Sequence, residues 1–67
     1  MSDALEDLLE AKRQIESTIH KLRETLLTLE AKDAPQRYKS QITLAKRRIK
    51  AFEIAVRLIE REVEKFQ

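Results

Sequence analysis

The chain has no cysteine, no glycine and no tryptophan, and one proline in 67 residues. Without cysteine it can form neither a disulfide nor a thiolate metal site. Without glycine it cannot build a glycine-rich phosphate loop. No apolar run approaches the ~18 residues of a membrane span. The start, Met1-Ser2-Asp3-Ala4-Leu5-Glu6-Asp7, is acidic and lacks the basic opening and apolar core of a signal peptide. A cytoplasmic protein is therefore expected. At this length a single domain, 1–67, is expected, and it should bury only about 60% of the surface its unfolded chain exposes. Small scaffolds usually add disulfides, a metal or oligomerisation. With no cysteine for a disulfide or a thiolate metal site, association is the route left.

What is present is charge and aliphatic residues. Charged side chains make up 39% of the chain, and Ala, Glu, Lys, Leu and Arg dominate, the composition of long helices and coiled coils. The heptad pattern is clean. In the first half, positions a and d fall at Leu5, Leu8, Lys12, Ile15, Ile19, Leu22, Leu26 and Leu29. In the second half they fall at Tyr38, Ile42, Ala45, Ile49, Phe52, Val56, Ile59, Val63 and Phe66. Steps alternate between three and four residues, which marks a helix-packing seam, and period 2 fails, which excludes strands.

The break lies at Ala31-Lys32-Asp33-Ala34-Pro35-Gln36. Proline is tolerated in a first helical turn but not in a helix interior. Asp33 with Gln36 reads as a capping-box variant, and Asp3 with Glu6 as a weaker one. The spacing predicts helix 1 over 4–31, a turn over 32–34 and helix 2 over 34–66. A linker this short makes the helices antiparallel. The expected fold is all-α: an antiparallel, coiled-coil-like two-helix hairpin, completed by dimerisation or by a helical partner.

Flanking positions refine this. The g positions of helix 1 are Ala4, Ala11, Thr18 and Thr25, all small, so a neighbouring helix could approach closely. Helix 2 carries a second apolar set off its seam: Leu44, Ala51, Ile54, Ala55 and Leu58. Scattered exposed apolar residues are common. This set is contiguous on a chain with few other means of stability, so it reads as a partner interface.

Charge is divided between the halves. Residues 1–34 carry five basic and eight acidic side chains; residues 35–67 carry nine basic and four acidic. The basic block is Arg37, Lys39, Lys46, Arg47, Arg48 and Lys50, with no acid among residues 35–51. It lies toward the start of helix 2, where the helix dipole disfavours cations. It is a solvated face or an electrostatic interface. The negative partner could be an acidic protein, nucleic acid, or the acidic open end of a second copy, through Glu6, Asp7, Glu10, Glu60, Glu62 and Glu64. No aromatic side chain interleaves the block, so base stacking has no support, and nucleic acid is the least favoured of the three. A membrane-surface role is less favoured still, because folding uses the apolar face.

No chemistry of catalysis is legible, and the chain is not expected to be an enzyme or to carry a cofactor. His20 sits at an outer b position with Glu16 four residues before it. The di-iron helical motif needs a spacing of three and a second histidine. The acidic pairs Asp3/Asp7, Glu6/Glu10 and Glu60/Glu64 lie one turn apart, with no pocket to shift their pKa values. Lys12 is the one fault in the seam. It either fixes register or, as we favour, packs its stem and extends its amine to solvent.

The Leu5-Glu6-Asp7-Leu8-Leu9 start, the Asp33-Ala34-Pro35-Gln36-Arg37-Tyr38 connection, and Ala51 and Ile54 beyond it together resemble the small helical-hairpin co-chaperones of type III secretion needle subunits. The resemblance spans most of the chain. It implies a bacterial cytoplasmic protein that joins a helical-repeat chaperone and keeps the needle subunit soluble before export. It transfers no catalytic residue and no interface residue by motif. The alternative is a homodimeric four-helix-bundle regulator that binds RNA or an acidic partner through the basic start of helix 2.

Overall fold

A computed structural model describes residues 3–32 and 35–67. Its elements are α1 (Ala4–Glu30), a 3-10 turn (Pro35–Tyr38) and α2 (Lys39–Glu64). The two helices pack antiparallel along their length in an all-α hairpin measuring 50 × 17 × 16 Å.

α1 starts where a cap is available. Asp3 is extended, and its carboxylate accepts from the Leu5 N–H at 2.9 Å and the Glu6 N–H at 3.4 Å. Two of the four donors orphaned at a helix start are thereby satisfied. Glu6 and Asp7 in the first turn add negative charge where the helix dipole favours it. Asp3→Ala should cost about 1 kcal/mol, read as a lower thermal midpoint by circular dichroism and faster amide exchange at Leu5 and Glu6.

α2 starts later than the sequence suggests. Helix 2 was expected from residue 34, but the α-helix begins at Lys39 and the chain enters it through the 3-10 turn. Pro35 opens that turn, a first-turn position where its missing N–H costs nothing. Asp33 and Ala34, and with them the expected Asp33 cap, lie outside the described residues. At the turn, the Lys32 ammonium lies 5.8 Å from the centre of the Tyr38 ring, within cation–π range.

The seam follows the heptads. Ile19, Ala45, Ile49 and Val56 are buried, and Ile15, Leu22, Leu26 and Phe52 pack on them half-buried. Phe66 departs from the pattern and stays half-exposed. α2 ends at Glu64, and the N–H groups of Phe66 and Gln67 donate to Val63 and Glu64 three residues back. That tighter winding rotates Phe66 off the seam.

The hairpin is thin for its mass. It exposes 5564 Å², where a compact 7.9 kDa protein exposes about 4,400 Å². Its radius of gyration is 15.5 Å, against about 11 Å for a compact chain of this length. Two helices cover one stripe of each other and leave the rest in water.

Candidate protein-interaction surface

The two sides of the seam differ in chemistry. On one side lie the e positions: Leu9, Glu16, Arg23 and Glu30 from α1, and Lys39, Lys46, Glu53 and Glu60 from α2. Ion pairs cross between the helices here. Arg23 bonds Glu53, Lys46 lies 3.7 Å from Glu30, and the Lys12 ammonium lies 3.1 Å from Glu60. Lys12 was expected to reach solvent; the antiparallel register instead brings Glu60 to its amine. These pairs are partly exposed, and each contributes ~0–1 kcal/mol. Their value is positional, since a shift of one helix by a turn would separate all three.

On the other side lie the g positions. Ala4, Ala11, Thr18 and Thr25 come from α1, and Gln41, Arg48, Ala55 and Glu62 from α2. Among the described residues no ion pair crosses the helices here. The Thr18 and Thr25 hydroxyls donate to the carbonyls of Gln14 and Lys21, each at 3.0 Å. The polar groups of these threonines are thereby engaged on their own helix. The half-buried Leu22, Phe52 and Ile59 show between the two rows.

The apolar set of α2 adjoins this side. Leu44, Ala51 and Leu58 repeat every seven residues on the outer flank of α2, next to the g row, and Ile54 lies one step further out. Leu44 is 46%, Ile54 42% and Leu58 53% exposed; Ala51 is exposed and Ala55 half-buried. Ala55 belongs to the rim of the seam itself. Exposed Leu9 and Leu27 on α1 were not singled out from the sequence. They lie on the ion-pair flank, eighteen residues apart, and do not join the strip.

The basic block does not form one patch. Lys39 and Lys46 leave α2 on the ion-pair side, Lys50 beside them, Arg47 on the outside and Arg48 on the g side. Lys46 is held by Glu30. Arg37, Lys39, Arg47, Arg48 and Lys50 form no ion pair among the described residues. The outer face of α2 therefore has an apolar middle with cations around it, and no acid from Lys39 to Arg61 except Glu53 and Glu60, both drawn to the ion-pair side.

Elsewhere the surface is plain. His20 lies 3.5 Å from Glu24, one turn on, and not against Glu16. It lines a shallow groove on the ion-pair side with Glu16, Arg23, Glu53 and Arg57, open to water. Glu10 accepts from the Gln14 amide at 2.8 Å and from Arg13. Those hydrogen bonds, Gln14 first, and the Arg13 charge hold its carboxyl below the ordinary glutamate value. Among the described residues no three His, Asp or Glu side chains converge on a possible metal position, and no helix is long and apolar enough to cross a membrane. No known protein family, curated protein or solved structure gives a match to this chain.

Proposed function

We propose that the chain is a protein-binding adaptor of the co-chaperone kind, which takes a partner's helix against the outer flank of α2. One observation carries this reading. A hairpin with only four buried core residues among those described keeps Leu44, Ile54 and Leu58 roughly half in water, on a flank where no ion pair crosses the helices among the described residues. A partner helix laid there would supply the third wall of a bundle. Half of each leucine is still wet, so covering the strip contributes about 1 kcal/mol per large side chain.

The sequence resemblance gives the specific form of the proposal. The partner pair is a type III secretion needle subunit, held soluble in the bacterial cytoplasm, and a helical-repeat chaperone. The unpaired cations bordering the strip favour a partner with acidic residues flanking its apolar face. Because these cations leave α2 in several directions, they make a poor track for a nucleic-acid backbone, whose binding depends on aligned phosphate contacts.

The test is affinity capture of the tagged full chain from its source, with nuclease treatment, read by mass spectrometry. Recovery of a small needle-like subunit together with a helical-repeat chaperone is the expected result. Recovery of the chain alone, or loss of every partner on nuclease treatment, would replace this reading with the homodimeric or RNA-binding one.

A further inference from the structure

We propose that, without another partner, the g side of the hairpin is covered by a second copy of the chain. The two copies pair antiparallel about a two-fold axis that passes beside Thr18 of α1 and Ala55 of α2. This goes beyond the adaptor reading and does not depend on it.

Three observations place the axis. First, the cross-helix pairs of Lys12 with Glu60 and Arg23 with Glu53 set the hairpin register, and they bring Thr18 level with Ala55 to within one helical turn. One axis perpendicular to both helices can therefore pass beside both. Both residues are small, and the Thr18 hydroxyl is engaged by its own helix, so two backbones can approach there without stranding a polar group.

Second, an axis at Ala55 pairs residues equally far on either side of it. Seven residues away, Arg48 meets the partner's Glu62, and Glu62 meets the partner's Arg48. Arg48 has no ion-pair partner among the described residues. Glu62 holds only Lys65, three residues on, in an exposed pair worth little. Eleven residues away, half-exposed Leu44 meets the partner's Phe66, the aromatic that the end of α2 turns off the seam. Three residues away, exposed Leu58 meets the partner's half-buried Phe52. On α1, Ala11 falls against the partner's Thr25.

Third, the charge of the whole hairpin agrees. The turn end is basic and the open end acidic, and the antiparallel arrangement lays each turn end beside the other copy's open end. A parallel pairing would set like against like. The face measures 50 × 17 Å at its outer bounds, room for the ~800 Å² per partner of a standard interface.

A charge swap tests the pairing. The full chain should sediment as a dimer at about 100 µM, since mass action sets the population. Arg48→Glu sets carboxylate against carboxylate twice, by symmetry, and should weaken dimerisation at least about tenfold. Glu62→Arg should do the same. The double change Arg48→Glu with Glu62→Arg restores both pairs and should recover dimerisation to within about threefold of the parent. Both side chains involved are exposed, so helicity by circular dichroism should hold in every variant. With no native cysteine, Ala55→Cys should oxidise to a disulfide-linked dimer, and Arg57→Cys, on the ion-pair side, should not. A monomeric parent chain would overturn the proposal. So would a dimer indifferent to the single reversals, a double variant that fails to recover, or a lack of cross-linking at position 55. A monomer that still captures its partner would sink the dimer alone; a dimer that captures none would sink the adaptor reading alone.

Discussion

Ile49→Ala should leave the isolated chain largely unfolded at 25 °C. Ile49 is one of four buried residues among those described, and it packs with Ile19 and Val56 at the middle of the seam. Truncating a buried isoleucine to alanine costs ~2–5 kcal/mol, the lost transfer energy plus the cavity. A core in a chain this short supplies ~3–5 kcal/mol in all. Even the lower cost removes about half of that margin, and the upper one removes all of it. Two helices can slide together to close part of the cavity, but the ion pairs on the e side resist that shift. Ile49→Val, at ~0.5–1.5 kcal/mol, should keep the fold. The measurement is ellipticity at 222 nm through a urea titration, in chain dilute enough to stay monomeric. A cooperative transition at the parent midpoint in Ile49→Ala would mean that the stability lies outside this seam.

The seam was legible because each of its contacts is a matter of spacing within one helix. Steps of three and four from Leu5 to Leu29 and from Tyr38 to Val63 name the half-buried and buried positions without reference to the other helix. What required the structure is what depends on both helices at once. Lys12 looked like a cation that would extend to water; it pairs with Glu60 because the register sets that residue beside it. Likewise, Glu53 and Lys46 are ordinary exposed charges in the sequence, and their pairing with Arg23 and Glu30 makes one side of the hairpin charged. The opposite side was half visible: the small g residues of α1 could be read from the sequence, but the engagement of the Thr18 and Thr25 hydroxyls by their own backbone could not. The start of α2 was misplaced because proline marks a first turn without saying whether that turn is α or 3-10. His20 had a carboxylate one turn away in each direction, and spacing could not choose Glu24 over Glu16.

Leu44→Glu with Leu58→Glu should weaken partner capture by more than about 100-fold while leaving the hairpin helical. Each leucine has roughly half its surface left to bury, so its replacement forfeits about 1 kcal/mol of docking energy. A carboxylate carried into an apolar contact adds a desolvation cost of at least that order per side chain. Over the two side chains these come to about 4 kcal/mol, and each 1.4 kcal/mol is tenfold in affinity. The fold is spared because neither leucine belongs to the buried cluster and glutamate matches leucine closely in helix propensity. Both positions also lie on the flank that the second copy covers, so the double variant should lose dimerisation too. Ile54→Glu separates the two contacts. Ile54 stands one step outside the dimer flank yet within the apolar strip, so this change should weaken capture and leave sedimentation unaltered. Titrating each variant against the purified partner complex by calorimetry, beside sedimentation of the variant alone, gives both numbers from one preparation. Unchanged affinity in both variants would move the partner's helix off the outer flank of α2. The remaining exposed apolar positions, Leu9 and Leu27, lie across the ion-pair side, where a partner would have to displace Arg23 from Glu53 and Lys12 from Glu60 to reach the seam.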